Sequence, residues 1–517
     1  MAFFNDVAIN RNPRAKFNLS HEKKLTIQQG DLIPVMCMET LPGDKWRVQS
    51  ELFMRMQALL SPVMHRFDAT IHYFFVPNRL IWSEFEDFIT RGRAGTTAPI
   101  HPAVLMDNVT KARYGVGTLA DYLGLPDVSG LALTGARYVN ALPFRAYQLI
   151  YDEYYRDNII TPPIDAAVSS GLIGASPELD KLMTIRKRAW GKDYFTTARP
   201  SPQLGAEAVI NATNVITYKA NSAVRTTAGA TAPNNTLIGV DTAGGDDMRV
   251  GKASAAGAGT SGGRIENIAS IGTSIQVNAL RIALAIQRFA ERNMRVGARY
   301  TEQLFGRWGV KSSDARLQRP EYLGGGNQAV NISEVLQTAE GTNPVGTMNG
   351  HGYAVGGQNK FKKPYYVEEH GYIMAILSVI PKTAYQQGID RMWTRDDVFD
   401  YATPEFANIG EQEVKQSELW VDPNLATDPT FGYQERYSEY KYQPNTVHGE
   451  FKTSLAYWHA GRIFTAAPLL NTSFIEADPT QRIFAVTDPA VDKLLVQIYH
   501  RCDVLRQLPY HGVPAIE

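Results

Sequence analysis

With 517 residues, 44% of them hydrophobic and 20% charged, the chain can bury a large core and has an ordinary globular composition. Lys+Arg and Asp+Glu balance at 52 each, which excludes a protein that covers nucleic acid by bulk positive charge; any such contact is local or delegated to a separate basic partner. Twenty-five Tyr, 28 Pro and 42 Gly favour many short strands joined by turns over a helical architecture.

Residues 1–24 read as a polar arm, in which Arg11, Arg14, Lys16, Lys23 and Lys24 outnumber Asp6 and Glu22. It is either a disordered terminus or an internal arm that reaches a neighbouring chain or a nucleic acid. Its first residues carry no basic stretch followed by an apolar run, so no signal peptide is expected. From Leu25 to Ile81 the text is strand-like, with a turn at Leu41-Pro42-Gly43-Asp44 and a short helix expected near Glu51–Leu60. Within it, Phe67, Ala69, Ile71, Tyr73 and Phe75 alternate with Arg66, Asp68, Thr70, His72 and Phe74. Period two predicts a half-buried strand, the first set inward and the second exposed. Pro77 ends it, having no N–H to give a ladder.

Residues 82–205 are mixed; Leu149–Arg156 is dense in Tyr, and Pro162-Pro163 stops any helix there. Asn221–Gly263 then holds nine Gly, nine Ala, six Thr and three Ser among 43 residues, and no aromatic residue occurs between Tyr218 and Phe289. Such text lacks the apolar bulk for a core of its own and predicts a surface insertion over 205–274. Asn234, Asp246, Arg249 and Lys252 are its candidate contact residues.

A helix is expected over about 275–295, capped by Ser274, with Leu280, Ile282, Leu284, Ile286 and Phe289 as its packing surface. Arg281, Arg288, Arg292 and Arg295 return to one narrow stripe of a 3.6-residue helix. Either a neighbouring subunit or DNA phosphate can face that stripe, and the charge balance favours the subunit. After residue 360, strands are expected at Gly371–Ile380, Val447–Tyr457, Gln481–Thr487 and Leu494–Leu505. The apolar run Tyr372–Ile380 is about half the length that crosses a bilayer, so no membrane insertion is expected.

Catalytic and cofactor motifs fail on context. Gly257-Ala258-Gly259-Thr260-Ser261-Gly262 matches a dinucleotide fingerprint but follows no apolar strand. Gly251-Lys252-Ala253 lacks the hydroxyl that a phosphate loop needs. The ten His show no zinc spacing, and Glu368-Glu369-His370 reads as a solvated strand edge. Cys37 and Cys502 are too few for a disulfide framework and read as small buried hydrophobes in a reducing cytoplasm. The expectation is no enzyme, no cofactor and no metal.

Several long blocks carry a resemblance: Pro62-Val63-Met64-His65-Arg66 running to Leu80, Phe17-Asn18-Leu19-Ser20-His21, Lys192-Asp193-Tyr194-Phe195-Thr196-Thr197, and Asp314 through Gly325. So do Glu369-His370-Gly371-Tyr372-Ile373 and Phe431 through Tyr437. Together these resemble the major capsid protein of gokushovirus-like microviruses, small phages with single-stranded DNA. The resemblance implies an eight-stranded antiparallel jelly roll with long loop and helix insertions. Its layout would be an arm over 1–24, a first barrel part over 25–204, the insertion over 205–274, and a helix, the remaining strands and a C-terminal interface segment over 275–517. It also implies a sixty-copy T=1 shell around circular DNA, assembled in the bacterial cytoplasm, with the insertion clustered at threefold axes and used in host attachment. A small basic DNA-binding protein, a pilot protein, a scaffold protein and a bacterial surface receptor would be its partners. The competing expectation from composition alone is a carbohydrate-binding or carbohydrate-cleaving β-sandwich.

Overall fold

A computed structural model describes residues 14–92, 95–96, 98–206, 213–218, 238–241, 249–252, 268–274, 277–336, 348–423 and 428–511. The chain divides into two compact units, Gln203–Asn293 and the remainder, Met1–Pro202 with Met294–Glu517.

The larger unit is built on two antiparallel sheets. The first strands are β1 (Ala15–Asn18), β2 (His21–Ile27), β3 (Ile33–Thr40), β4 (Lys45–Met56) and β5 (Phe67–Pro77). After a long interval come β6 (Glu321–Ala329), β7 (Asn331–Leu336), β8 (Met348–Lys360), β9 (Tyr365–Tyr366) and β10 (Gly371–Pro381), and last β11 (Leu494–Arg506). One sheet of four has the order β6-β5-β10-β3. The other, of seven strands, runs β11-β4-β8-β7, with β1 and β2 on the far side of β11 and β9 beside β4. The chain passes between sheets in turn, β2 to β3 to β4 to β5 and later β6 to β8 to β10 to β11, which is jelly-roll topology.

Side chains from both sheets share one core, among them Trp46, Met54, Phe67, Ile71, Tyr73, Ile373, Leu377 and Ile498. The turn between β3 and β4 is where the sequence places it, and Gly43 supplies its positive φ of 88°. The expected helix near Glu51–Leu60 is instead the end of β4. Leu52, Met54 and Met56 are buried while Glu51, Phe53 and Arg55 are exposed, a period of two. Pairing along the whole length of β11 outweighs the helix propensity of Leu, Met and Glu.

β5 also departs from expectation: both of its faces are covered. The predicted inward set lies in the inter-sheet core, but Phe74 and Val76 enter a second core with Tyr372, Met374 and Ile376 of β10. That layer is closed by helix α1 (Leu142–Ile150), which presents Phe144 and Tyr147 and continues as a π turn through Tyr155. His72 is half-buried there, its ring nitrogen 2.8 Å from the Tyr155 hydroxyl, and burial pushes its pKa down to about 4.

Neither Val447–Tyr457 nor Gln481–Thr487 is a strand. The first folds as 3₁₀ turns at Gly449–Lys452 and Ala456–Trp458, and the second joins only an isolated bridge, Leu59 to Phe484. Their β-branched and aromatic residues pack into loops instead of a ladder.

Within Gln203–Asn293, Thr213–Tyr218 pairs antiparallel with Ile268–Ser274, and Ile238–Asp241 with Arg249–Lys252. The insertion thus contains two ribbons, which its Gly/Ala/Thr text does not predict. Helix α2 spans Val277–Val296. Ser274 is not its cap, because it pairs with Thr213 as the last residue of its strand.

Candidate assembly surfaces

Helix α2 forms from a run with four Ala, four Arg and two Leu, all strong helix formers. Ala283, Ala290 and Met294 are its buried residues, at spacings of 7 and 11 that return to one line. The large apolar residues expected to pack do not: Leu280, Ile282, Leu284, Ile286 and Phe289 are 38–54% exposed. The small residues, with no bulk to hold off a neighbour, take the buried line.

The arginine stripe falls opposite that line, and its four members divide. Arg281, Arg288 and Arg292 are exposed. Arg295 is held inside the larger unit, bonded to Glu411, 3.2 Å from the Gln434 side-chain oxygen and 3.7 Å from Glu435. The exposed face therefore mixes guanidinium groups with Leu284 and Phe289, a chemistry suited to a protein surface more than to phosphate alone.

Other apolar side chains stand open in the larger unit. Helix α3 (Tyr300–Trp308) exposes Tyr300, Phe305 and Trp308, the last at 75%. The loops over 391–409 expose Met392, Trp393, Val398, Phe399 and Tyr401. Apolar exposure on this scale marks surfaces that meet something else. The sequence signal that points to them is aromatic residues in stretches without strand alternation.

The N-terminal arm is sheet from Ala15 onward, paired through β1 and β2 to β11. Lys16 makes an ion pair with Asp503 at 3.3 Å, and the Arg14 guanidinium stands 5.9 Å over the Tyr366 ring. Lys23 is drawn inward: its ammonium donates to the Pro34 carbonyl at 3.2 Å and to the Tyr122 carbonyl, and burial lowers its pKa. Arg11 lies outside the described residues, as do Asn234 and Asp246. Arg249 stands opposite Asp241, and Lys252 opposite Ile238, in the inner ribbon.

Glu369, part of the Glu-Glu-His run, is paired with Arg79 at 2.7 Å. Among the described residues no three His, Cys, Asp or Glu side chains are grouped to hold a metal, and no helix is long and apolar enough to cross a membrane. Cys37 and Cys502 are unpaired, and burial pushes both thiols up to about 12.

A family model described as "Capsid protein (F protein)" matches residues 5–516. The chain is 33% identical to capsid protein VP1 of Bdellovibrio phage phiMH2K, over 97% of this chain and 95% of that one. It is 30% identical to capsid protein VP1 of Chlamydia phage 1 (99% and 97% covered) and 30% identical to that of Spiroplasma virus 4 (91% and 88%). The jelly-roll topology and the microvirus resemblance agree with these matches. The chain belongs to the capsid protein (F protein) family and is a structural component of the virion, not an enzyme.

Proposed function

We propose that sixty copies of this chain close a T=1 shell around a circular single-stranded DNA genome. Exposed Arg281, Arg288 and Arg292 lie together with exposed Leu284 and Phe289 on α2, and this mixed face is the observation that supports a subunit contact. Burying such side chains between copies removes apolar surface from water and gives the arginines acidic partners. The insertion over 205–274 forms the threefold protrusion and meets a bacterial surface receptor. The segment before Ala15, with Arg11, faces the interior. A small basic protein, a pilot protein and a scaffold protein complete assembly, because a chain with 52 charges of each sign has no surplus with which to neutralise a genome.

Negative-stain microscopy and mass measurement of purified protein, with and without single-stranded DNA, test the reading. Uniform small shells are the expected result. Protein that stays monomeric in both conditions overturns it.

A further inference from the structure

The outward face of the seven-stranded sheet carries rings where a solvated sheet carries polar residues. On β4 the alternation that buries Leu52 and Met54 turns Glu51, Phe53 and Arg55 outward. Register fixes their neighbours. Arg55 pairs with Tyr353 of β8 and Leu495 of β11, Phe53 with Val355 and Gln497, and Glu51 with Tyr499. Paired residues share a face, so Tyr353, Phe53 and Tyr499 run diagonally across three adjacent strands. All three rings are exposed, and Val355 beside them is 64% exposed. His351 stacks on Tyr353 with the rings 24° from parallel.

Cations are interleaved with the rings. The Arg55 guanidinium sits 5.1 Å over the Phe53 ring. Lys24, opposite Gln497, together with Arg47 and Arg501, is exposed on the same face; Glu22, Glu51 and Asp503, the last opposite Arg47 and ion-paired with Lys16, stand against these four and Lys16. The sign is locally positive in a chain that is neutral as a whole. At one end the face is concave. A cavity of about 560 Å³ is floored by Lys24, Phe53, Arg55 and Leu495 and walled by Val116 and Asp121.

We propose that this sheet face binds single-stranded DNA, with bases stacked on Tyr353, Phe53 and Tyr499 and phosphates held by Arg55, Lys24 and Arg501. An aromatic ring accepts any base because every base has a π face, and nearby cations supply backbone affinity without reading sequence. Rings and arginines also suit a partner protein; what favours a nucleic acid here is the excess of cations over carboxylates on a face whose rings follow one line across three strands. The proposal rests on the reading of the chain as a shell around single-stranded DNA.

The test uses full-length protein, a fluorescent dT 20-mer, and an abasic 20-mer of the same backbone. Phe53→Ala with Tyr353→Ala is expected to lower dT affinity about tenfold or more and to leave abasic affinity unchanged. Arg55→Gln with Arg501→Gln, which keeps every ring, is expected to reduce the salt slope by roughly 0.7 for each phosphate that no longer meets a cation. It carries the test if the aromatic variant fails to fold. Unchanged dT affinity and salt slope in folded variants overturn the proposal. Loss of shells with DNA affinity retained also overturns it, since the face is then a subunit contact. Wild-type shells that do not bind the oligonucleotide defeat this inference alone, whereas wild type that never forms shells defeats the shell reading.

Discussion

Ser50 Oγ lies 2.7 Å from His500 Nδ1 in the interior between the two sheets. The contacts around this pair fix the direction of each proton. His500 Nε2 is 3.1 Å from the Val35 carbonyl, which only accepts, so Nε2 carries the hydrogen and Nδ1 accepts from Ser50. Ser50 in turn accepts from the Tyr73 hydroxyl at 2.5 Å. With the imidazole neutral, each of these hydrogens has an acceptor. Burial, reinforced by the His21 ring 5.1 Å away, pushes the His500 pKa down to about 3.

Acid should therefore loosen the subunit from a pH above the range in which ordinary carboxylates are protonated. Below about pH 6.5 the unfolded chain takes up a proton at His500 that the folded chain refuses, so stability falls as pH falls towards 3. His72, pushed down to about 4, adds in the same direction. Asp31, pushed up to about 6 by burial, works the opposite way, so a comparison with His500→Gln isolates the histidine. Urea unfolding at pH 7 and pH 5 should show the variant losing about 2 kcal/mol less than wild type. Equal losses would count against the assignment.

Arg506 and Asp44 clamp the end of β11 to the turn after β3. The guanidinium lies 2.7 Å from a carboxylate with no exposure, which also accepts from the Trp46 indole at 3.2 Å. Arg506→Ala leaves that charge buried without its cation and should cost about 3–5 kcal/mol in urea unfolding. A loss under about 1 kcal/mol would mean that water replaces the arginine.

The stripe on α2 should separate by residue. Arg288→Ala with Arg292→Ala should leave the folded subunit intact and weaken assembly by about 2–5 kcal/mol per interface. Arg295→Ala should lower the stability of the subunit itself, since its partners Glu411 and Glu435 are in the same unit. Assembly yield and urea midpoint, measured on both variants, give the answer; a pure DNA-binding defect in the double variant would put phosphate on that face.

Replacing residues 222–262 by a short Gly-Ser linker should spare the shell. The deletion removes the inner ribbon, Ile238–Asp241 with Arg249–Lys252, and keeps the outer one, Thr213–Tyr218 with Ile268–Ser274. Particle counts should hold while infectivity falls. Loss of folded protein would show that the insertion supports the core.

The arm needs a narrower test than its sequence suggests. Arg11, Arg14 and Lys16 can all become Gln with little change in stability, because the ion pair of Lys16 with Asp503 is exposed on the lysine side. Lys23→Gln should cost about 1–3 kcal/mol, since it withdraws an inward donor from two carbonyls. If the arm faces the genome, DNA per particle drops in the triple variant.

Elements with a clean period of two are legible in the sequence: β5 and β10 run within a residue of where the alternation and the apolar run place them, and β11 begins at Leu494 as expected. What alternation cannot give is the number of layers stacked on a strand. Phe74 looks exposed in the sequence because its cover, Tyr154 and Tyr155 of the π turn, comes from some eighty residues further on. The end of β4 reads as helix because Leu, Met and Glu favour helices until a partner strand is present. The arginine stripe is visible from spacing alone, but the division between Arg295 and the other three depends on Glu411 and Glu435, more than a hundred residues away. The aromatic face of the large sheet is hidden for a similar reason: Phe53, Tyr353 and Tyr499 meet only when three distant strands are in register.

The place of β11 sets a clock on synthesis. It lies between β2 and β4, so Thr26 and Arg55 both wait for Leu495 to emerge from the ribosome. At ordinary elongation rates that delay is on the order of tens of seconds. Throughout it β4 has an unpaired edge, and the apolar face of Leu52, Met54 and Met56 lacks its neighbour. A nascent chain is thus open to helper proteins and to aggregation alike. The seven-stranded sheet is not complete until residue 506 is made.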